Sequence, residues 1–481
     1  MVTVLAYDLG ASNGRLTAQY FDGSTLRLKE IHRFSNETMQ KGQHFYWNYE
    51  QLIKELHTGL ELAASVQGSS LGIDTWGVDF GCLNQTNQLL QNPFSYRDTH
   101  SAPYVEKVQH AISHYDLYCR TGNEISSINT LFQLMAIDEQ YGELMTKTKH
   151  ILLMPNLLMH ALTGEKVNEY TIASTTQLVN LQTKEWDHEL IQKVFNKPLA
   201  LSPIGTTHEV VGTLIKYPTI QMVLVPGHDT ACALSALPIE QKHSIFISLG
   251  TWGLIGMELD EPVVSFEAFK YGFTNEGTSE KKIRFQKNAT GFWILQKLRK
   301  EWQQQYRVMN FEQEAQAFHE ASAFQAIINP EAEEFFNPFS MQQAIRDFCL
   351  KTKQRAPETR GEYIRCFSES VALYYAVVIE EIERITGNHS STIHIGGGGT
   401  HNELLCQLMA NACGKRVVAG PVEASSIGNG LSQLRALGEI ASIEEGRAIV
   451  KASYSVKEYE PQHVELWKSM KENYQHIFKG E

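Results

Sequence analysis

The residue best suited to take a proton is Asp229, in PGHDTACAL (226–234), directly behind the apolar stretch MVLV. A carboxylate at the end of a strand projects from the sheet. There it can accept a hydroxyl proton during in-line attack on phosphorus. It can also cap the helix ACALSAL, and the two uses are compatible. His228 beside it can serve structure as well as chemistry, and its neighbour makes it a candidate for the same site.

Three glycine turns could bring backbone N–H groups to phosphate oxygens. In DLGASNGR (8–15), Gly10 and Gly14 leave the backbone open, Ser12 and Asn13 offer hydrogen bonds, and Arg15 can neutralise charge. Asp8 ends the preceding apolar run, where it could hold Mg²⁺ directly or through water. An ordinary hairpin would also use such residues. LGTWG (249–253) offers the Thr251 hydroxyl, and a plain turn satisfies it equally. GGGGTHN (396–402) carries four consecutive glycines, an entropic cost that close approach of a flat ligand would justify. No GxxxxGK[ST] or GxGxxG occurs in the required context, so a nucleotide site here must be assembled from separated turns.

A further stretch, GIDTWGVDF (72–80), suggests a strand followed by a turn exposing Trp76, Gly77 and Asp79. An aromatic ring beside small residues and carboxylates suits a sugar, while a core tryptophan on a buried strand fits the same letters. YRDTH (96–100) adds Arg97 and Asp98 as candidates for a surface ion pair.

The elements that must hold these residues are legible in turn. Residues 2–8, RLTAQYF (15–21) and TLRLKEIHRF (25–34) read as three strands, with Asp22-Gly23 as a hairpin signal. YEQLIKELHTGLELAAS then reads as a helix leading into the strand SSLGID. The plan restarts at HSIFISLGTWGLIGMEL (243–259), and aligning YDLGASNGR with ISLGTWGLI gives a weak internal repeat of strand, turn and strand. FSESVALYYAVVIEEIERITG is a long amphipathic helix closed by Gly387, followed by the strand STIHI, the glycine turn and the helix NELLCQLMANACG. Two α/β domains follow, 1–240 and 241–481.

With 481 residues and 42% hydrophobic content, the chain has apolar surface enough for two cores. A formal net charge of −12 argues against a nucleic-acid or anionic-membrane surface. MVTVLAYDLG lacks the basic start of a signal peptide and reads as a buried strand, and no run approaches the roughly 18 apolar residues of a membrane span. The seven cysteines are scattered without a CxxC pair, which suggests reduced thiols in a cytoplasmic protein. Cys349 with Cys366, or Cys406 with Cys413, remain possible cross-links.

In order and content, DLGASNGR, LGTWG, GHDT and GGGGTHN resemble the motifs of the FGGY carbohydrate kinases, within the actin, Hsp70 and hexokinase fold group. The stretches IHRFSN, INTLFQL, EYTIASTTQLVN, FTNEG and AGPVEASSIGN extend the likeness from Asp8 to Asn429. The resemblance implies two ribonuclease H-like (actin-like ATPase) domains facing each other across a catalytic cleft. It implies an ATP-dependent kinase acting on a small ketose, with Ala11 to Arg15, Thr251, Gln296 and Gly398 on ATP. Gly77, His228, Asp229, Thr230 and Asn288 would contact the ketose, with Asp229 as proton acceptor and Mg²⁺ near Asp8. Asn156, in LLMPNLLMHALTG, stands where relatives often carry Asp, a position read here as structural. The expected partners are ATP and the ketose, in a monomer or weak homo-oligomer. An actin- or Hsp70-like ATPase module without transfer activity is the alternative, and it leaves the Asp229 loop unused.

Overall fold

A computed structural model describes residues 1–304 and 306–479. The chain forms two units, the first comprising residues 1–238, 259–285 and 424–454, the second 239–258, 286–423 and 455–481.

The first unit is built on a six-stranded sheet. Strands β1 (Val2–Leu9), β2 (Asn13–Phe21) and β3 (Leu26–Ser35) form an antiparallel meander. β4 (Ser70–Thr75) runs parallel to β1, and β5 (Val210–Thr213) and β6 (Gln221–Val223) complete the order β5-β6-β4-β1-β2-β3. The period of two sorts β1 between two layers. Leu5, Tyr7 and Leu9 join a core with Leu52, Leu56 and Leu60 of helix α1 (Tyr49–Leu62), where the Tyr7 hydroxyl donates to the Leu56 carbonyl at 2.5 Å. Val4 joins the other layer, with Ala233 and Ala236 of α2 (Asp229–Ala236) and with Ile427 and Leu431 of the helix Ala424–Ala436. Asp8, four residues on from Val4, shares that second face.

Small residues let the helix Ala424–Ala436 approach closely. A Cβ on Gly428 would overlap the Cys232 carbonyl of α2, and one on Gly430 would overlap Gln19 of β2. On β4, a side chain at Gly72 would collide with Asn429 and Gln433. Polar side chains under this helix pair with one another and with the sheet backbone, as burial favours. Ser70 donates to Gln433 and Gln433 to the Leu5 carbonyl, each at 2.7 Å.

The second unit repeats the local plan of the first. β7 (Ile245–Leu249) and β8 (Trp252–Leu259) form a hairpin in register Leu249↔Gly253, and β9 (Thr392–Gly396) lies parallel to β7. In the first unit β1, β2 and β4 bear the same relation, so the weak repeat in the letters is a repeat of topology. Helix α3 (Arg360–Thr386) starts on a capping box of Thr359 with Glu362 and ends at Gly387, whose φ of 68° closes it. Among the described residues no helix is long and apolar enough to cross a membrane. All seven cysteines are free thiols.

Candidate active site

In the first unit, three carboxylates gather at the ends of β1, β4 and β6. Asp8 pairs with Asp74 in the parallel register of β1 and β4, and Thr75 bridges to His228 at the start of α2. Arg15 donates to Oδ2 of Asp8 at 2.7 Å, and the Ser426 hydroxyl donates to the same oxygen at 2.9 Å. One turn along its helix, Asn429 donates to Oδ2 of Asp74 at 2.7 Å. Oδ1 of Asp74 is buried and accepts no hydrogen bond among the described residues. Burial, and then the charge of Asp8, push Asp74 well above the carboxylate range and favour its neutral form.

Asp229 is the first residue of α2; His228 is the N-cap. Its Oδ1 accepts from the Thr230 N–H at 2.6 Å and the Thr230 hydroxyl at 3.2 Å. Burial and then Asp8 raise its pKa to about 7, against the bonds from Thr230. The side chain is 32% exposed, so the carboxylate is both shifted and reachable. A base titrating near neutrality is what proton removal from an alcohol at physiological pH needs.

His228 is held from two sides. A Cβ on Gly77 would stand 3.1 Å from the imidazole edge, so the glycine makes room for the ring. On the other side Nη1 of Arg284, on the strand Ile283–Thr290, lies 3.2 Å from His228 Nδ1. Arg284 is fully buried, donates through Nη2 to Glu276 at 2.8 Å and through Nε to the Gly277 carbonyl at 3.0 Å. Burial, with Arg284 beside it, drives the His228 pKa well below 6.5. Neither Arg284 nor Glu276 was singled out in the sequence. The signal was present in Ile-Arg-Phe, a charge between two large apolar residues, which burial permits only with a partner.

The turn 10–12 joins β1 to β2 and is braced by Asn36, whose backbone N–H donates to the Ser12 carbonyl and whose side chain donates to the Gly10 carbonyl, both at 3.0 Å. Ser12 and Asn13 are exposed, and their side chains make no hydrogen bond among the described residues; Ala11 is half-buried. Gly14 has a different reason from the one expected, since any Cβ there would overlap the Phe34 ring.

In the second unit the LGTWG and glycine turns meet at Leu249. Gly397 takes a φ of 89°, and a Cβ on it would crowd the Leu249 carbonyl at 3.1 Å, while one on Gly399 would overlap the Leu249 side chain. Gly398 has neither constraint: its Cβ would point into open space, and its φ is outside the left-handed region. Its lack of a side chain is thus unexplained by the fold and consistent with a ligand lying against it. The Thr251 hydroxyl lies 3.2 Å from Nε2 and 3.3 Å from Oε1 of Gln296. Asn288 sits exposed on the strand Ile283–Thr290.

Two expectations are corrected. Trp76 and Asp79 do not face outward at a turn: Trp76 packs on Trp47 with ring centroids 4.1 Å apart and the planes tilted by 37°, and both indoles donate to Asp79, at 2.6 and 3.0 Å. Tyr96 N–H and Gln133 complete the set at 3.1 and 2.9 Å. Burial outweighs these bonds and lifts Asp79 to about 6. Asp98 is likewise no surface ion-pair residue; buried, it accepts from the Phe45 and His100 backbones at 2.7 and 2.8 Å. Asn156 accepts from the Glu169 N–H at 3.1 Å, a structural use of the buried amide.

The fold is that of two-domain sugar kinases. Xylulose kinases from Lactobacillus acidophilus and Rhodospirillum rubrum match it with TM-scores of 0.81 and 0.82 over 100% and 99% of this chain and 98% of each of theirs, at 15% identity, a likeness of fold alone. Residues 3–234 match the N-terminal domain, and 245–437 the C-terminal domain, of the FGGY family of carbohydrate kinases. The chain belongs to that family and is an ATP-dependent sugar kinase. Its curated relatives include a rhamnulokinase of Bacteroides thetaiotaomicron, 39% identical over 472 residues and 96% of each chain. Another, from Oceanobacillus iheyensis, is 37% identical over 466 residues, covering 95% of this chain and 97% of the relative.

Proposed function

We propose that the enzyme transfers the γ-phosphoryl group of ATP to the 1-hydroxyl of L-rhamnulose, giving L-rhamnulose 1-phosphate and ADP in L-rhamnose catabolism. The relatives' substrate supports the choice of ketose, and the observation that carries the chemistry is Asp229, reachable and shifted to about 7. Phosphoryl transfer asks the protein for alignment, charge neutralisation and dryness more than for covalent help. Asp229 accepts the proton of the attacking hydroxyl. Gly77, His228, Thr230 and Asn288 hold the ketose, and Ala11, Ser12, Asn13, Gly14, Arg15, Thr251, Gln296 and Gly398 hold ATP. In this reading residues 1–240 carry the sugar and the first phosphate turn, and 241–481 the nucleotide. The enzyme works in the cytoplasm as a monomer or weak homo-oligomer.

Mg²⁺ fits a site of this kind. No group of three or more His, Cys, Asp or Glu side chains among the described residues could hold an ion alone, so the cation would rest on phosphate and water oxygens with Asp8. Burial and then the charge of Asp8 raise both Asp74 and Asp229, so Asp8 supplies the negative charge that such an ion would relieve. When bound, it supplies charge neutralisation on the phosphates.

Coupled measurement of ADP release with L-rhamnulose, L-fuculose and L-xylulose tests the reading. L-rhamnulose should give the highest kcat/KM, and the others should lose more than about tenfold, because displaced hydroxyls leave polar groups of the site unpaired. Equal turnover of all three would refute the substrate and leave a sister ketose kinase.

A further inference from the structure

We propose that Arg284 is a positioning residue for phosphoryl transfer, fixing His228 as the neutral Nε2–H tautomer so that a hydrogen-bond donor stands beside the accepting carboxylate. The inference rests on Asp229 as the base. A guanidinium has donors only, so at 3.2 Å its Nη1 obliges His228 Nδ1 to accept. The ring proton is then on Nε2. Glu276 and the Gly277 carbonyl hold the guanidinium at its other nitrogens, and Gly77 leaves the ring its room. The charged groups beside the imidazole are thus Arg284 and Asp229, with Gly77 along the ring edge.

Two consequences follow from the distances. His228 Nε2 lies 3.8 Å from Oδ1 of Asp229, beyond hydrogen-bond reach, so its N–H stays available to a ligand oxygen. Oδ1 is already occupied by both donors of Thr230, while Oδ2 accepts none among the described residues. Oδ2 is therefore the oxygen that takes the proton. A donor and an acceptor side by side match two adjacent oxygens of a ketose. The attacking hydroxyl gives its proton to Asp229, and the oxygen on the neighbouring carbon accepts from His228. His228 is excluded as the base, because its acceptor nitrogen is committed to Arg284.

The test joins spectroscopy to kinetics. Imidazole ¹⁵N spectra, with His228 assigned by its loss in His228→Gln, should show Nε2 protonated and Nδ1 bare, unchanged between about pH 5.5 and 8.5. In Arg284→Met/Glu276→Gln, which removes the guanidinium without orphaning its carboxylate, burial still disfavours the charged ring, and the single proton should spread over Nδ1 and Nε2. That variant should lose about tenfold or more in kcat, up to the roughly 10²-fold that misplacement of a reacting group costs. In a His228→Ala background the same pair of changes should cost under about twofold. Should the double variant fail to fold, single-residue variants decide: Gln carries an amide nitrogen where Nε2 stands and Asn does not, so His228→Gln should exceed His228→Asn in kcat by about tenfold. A His228 that keeps its proton on Nε2 alone without Arg284, multiplicative losses, or equal Gln and Asn variants would each overturn the proposal. If instead Asp229→Asn keeps more than about a tenth of kcat, the base assignment fails while the tautomer result still stands.

Discussion

Replacing Asp229 by Asn separates what the carboxylate does from what it costs. The amide preserves shape and can still accept from the Thr230 N–H and hydroxyl, but it cannot take a proton. Turnover of L-rhamnulose should fall by roughly 10²–10⁴-fold with both ligands still bound. The wild-type kcat/KM should drop below about pH 7 as Asp229 protonates, and that limb should vanish in the variant. Stability moves the other way. The folded pKa lies above the unfolded value near 3.8, so the native state favours the protonated form, and stability is lost as pH rises from about 4 through about 7. A shift of about three units corresponds to at most about 4 kcal/mol, and with 32% of the side chain in solvent a screened figure of about 1–2 kcal/mol is reasonable. Asp229→Asn should therefore unfold a few degrees higher at pH 8 and at nearly the same temperature at pH 4.5. Turnover against pH and calorimetric scans at the two pH values measure both effects. An amide variant retaining more than about a tenth of kcat, with chemistry rate-limiting, or one less stable at pH 8, would refute the reasoning.

Gly398→Val should weaken ATP binding by about tenfold or more while leaving ketose affinity and stability nearly unchanged, since a Cβ added there meets no protein atom within 4 Å; unchanged titration with ATP would place the nucleotide elsewhere. Asp79→Asn should cost about 1–3 kcal/mol in denaturant unfolding, because an amide cannot serve the Trp47 and Trp76 indoles and the Gln133 amide together. It should lower kcat far less than Asp229→Asn does. Chelation of divalent cations should abolish ADP release and added Mg²⁺ should restore it, and activity surviving chelation would remove Asp8 from its proposed role.

Local patterns carried much of this protein into view. The meander, the two hairpins and the long helix ending at Gly387 follow from alternation, turn residues and a C-terminal glycine, all local signals. Asp229 was legible because its turn stands between an apolar strand and a helix. Trp76 and Asp79 were misplaced because partners from residues 47, 96 and 133 bury them, and nothing within GIDTWGVDF announces those donors. Gly14, read in the sequence as an opening for phosphate, also has to accommodate Phe34, a neighbour on an adjacent strand. Arg284 belongs to no motif, and its meaning came only from what stands against it.

The helix Ala424–Ala436 covers one face of a sheet whose first strand begins at Val2, so that face stays unfinished until most of the chain has left the ribosome. Until then Val4 and Phe21 lack the part of their apolar cover that Ile427 and Leu431 supply, and Ser70 and Asp74 lack the side chains of Gln433 and Asn429. Nascent chains must carry that exposed face through synthesis, the circumstance in which collapsed intermediates aggregate or recruit chaperones. A fragment ending near residue 240 would retain the same bare face permanently. Expression of the first unit alone should accordingly require residues 424–454 to be supplied, by fusion or as a second chain.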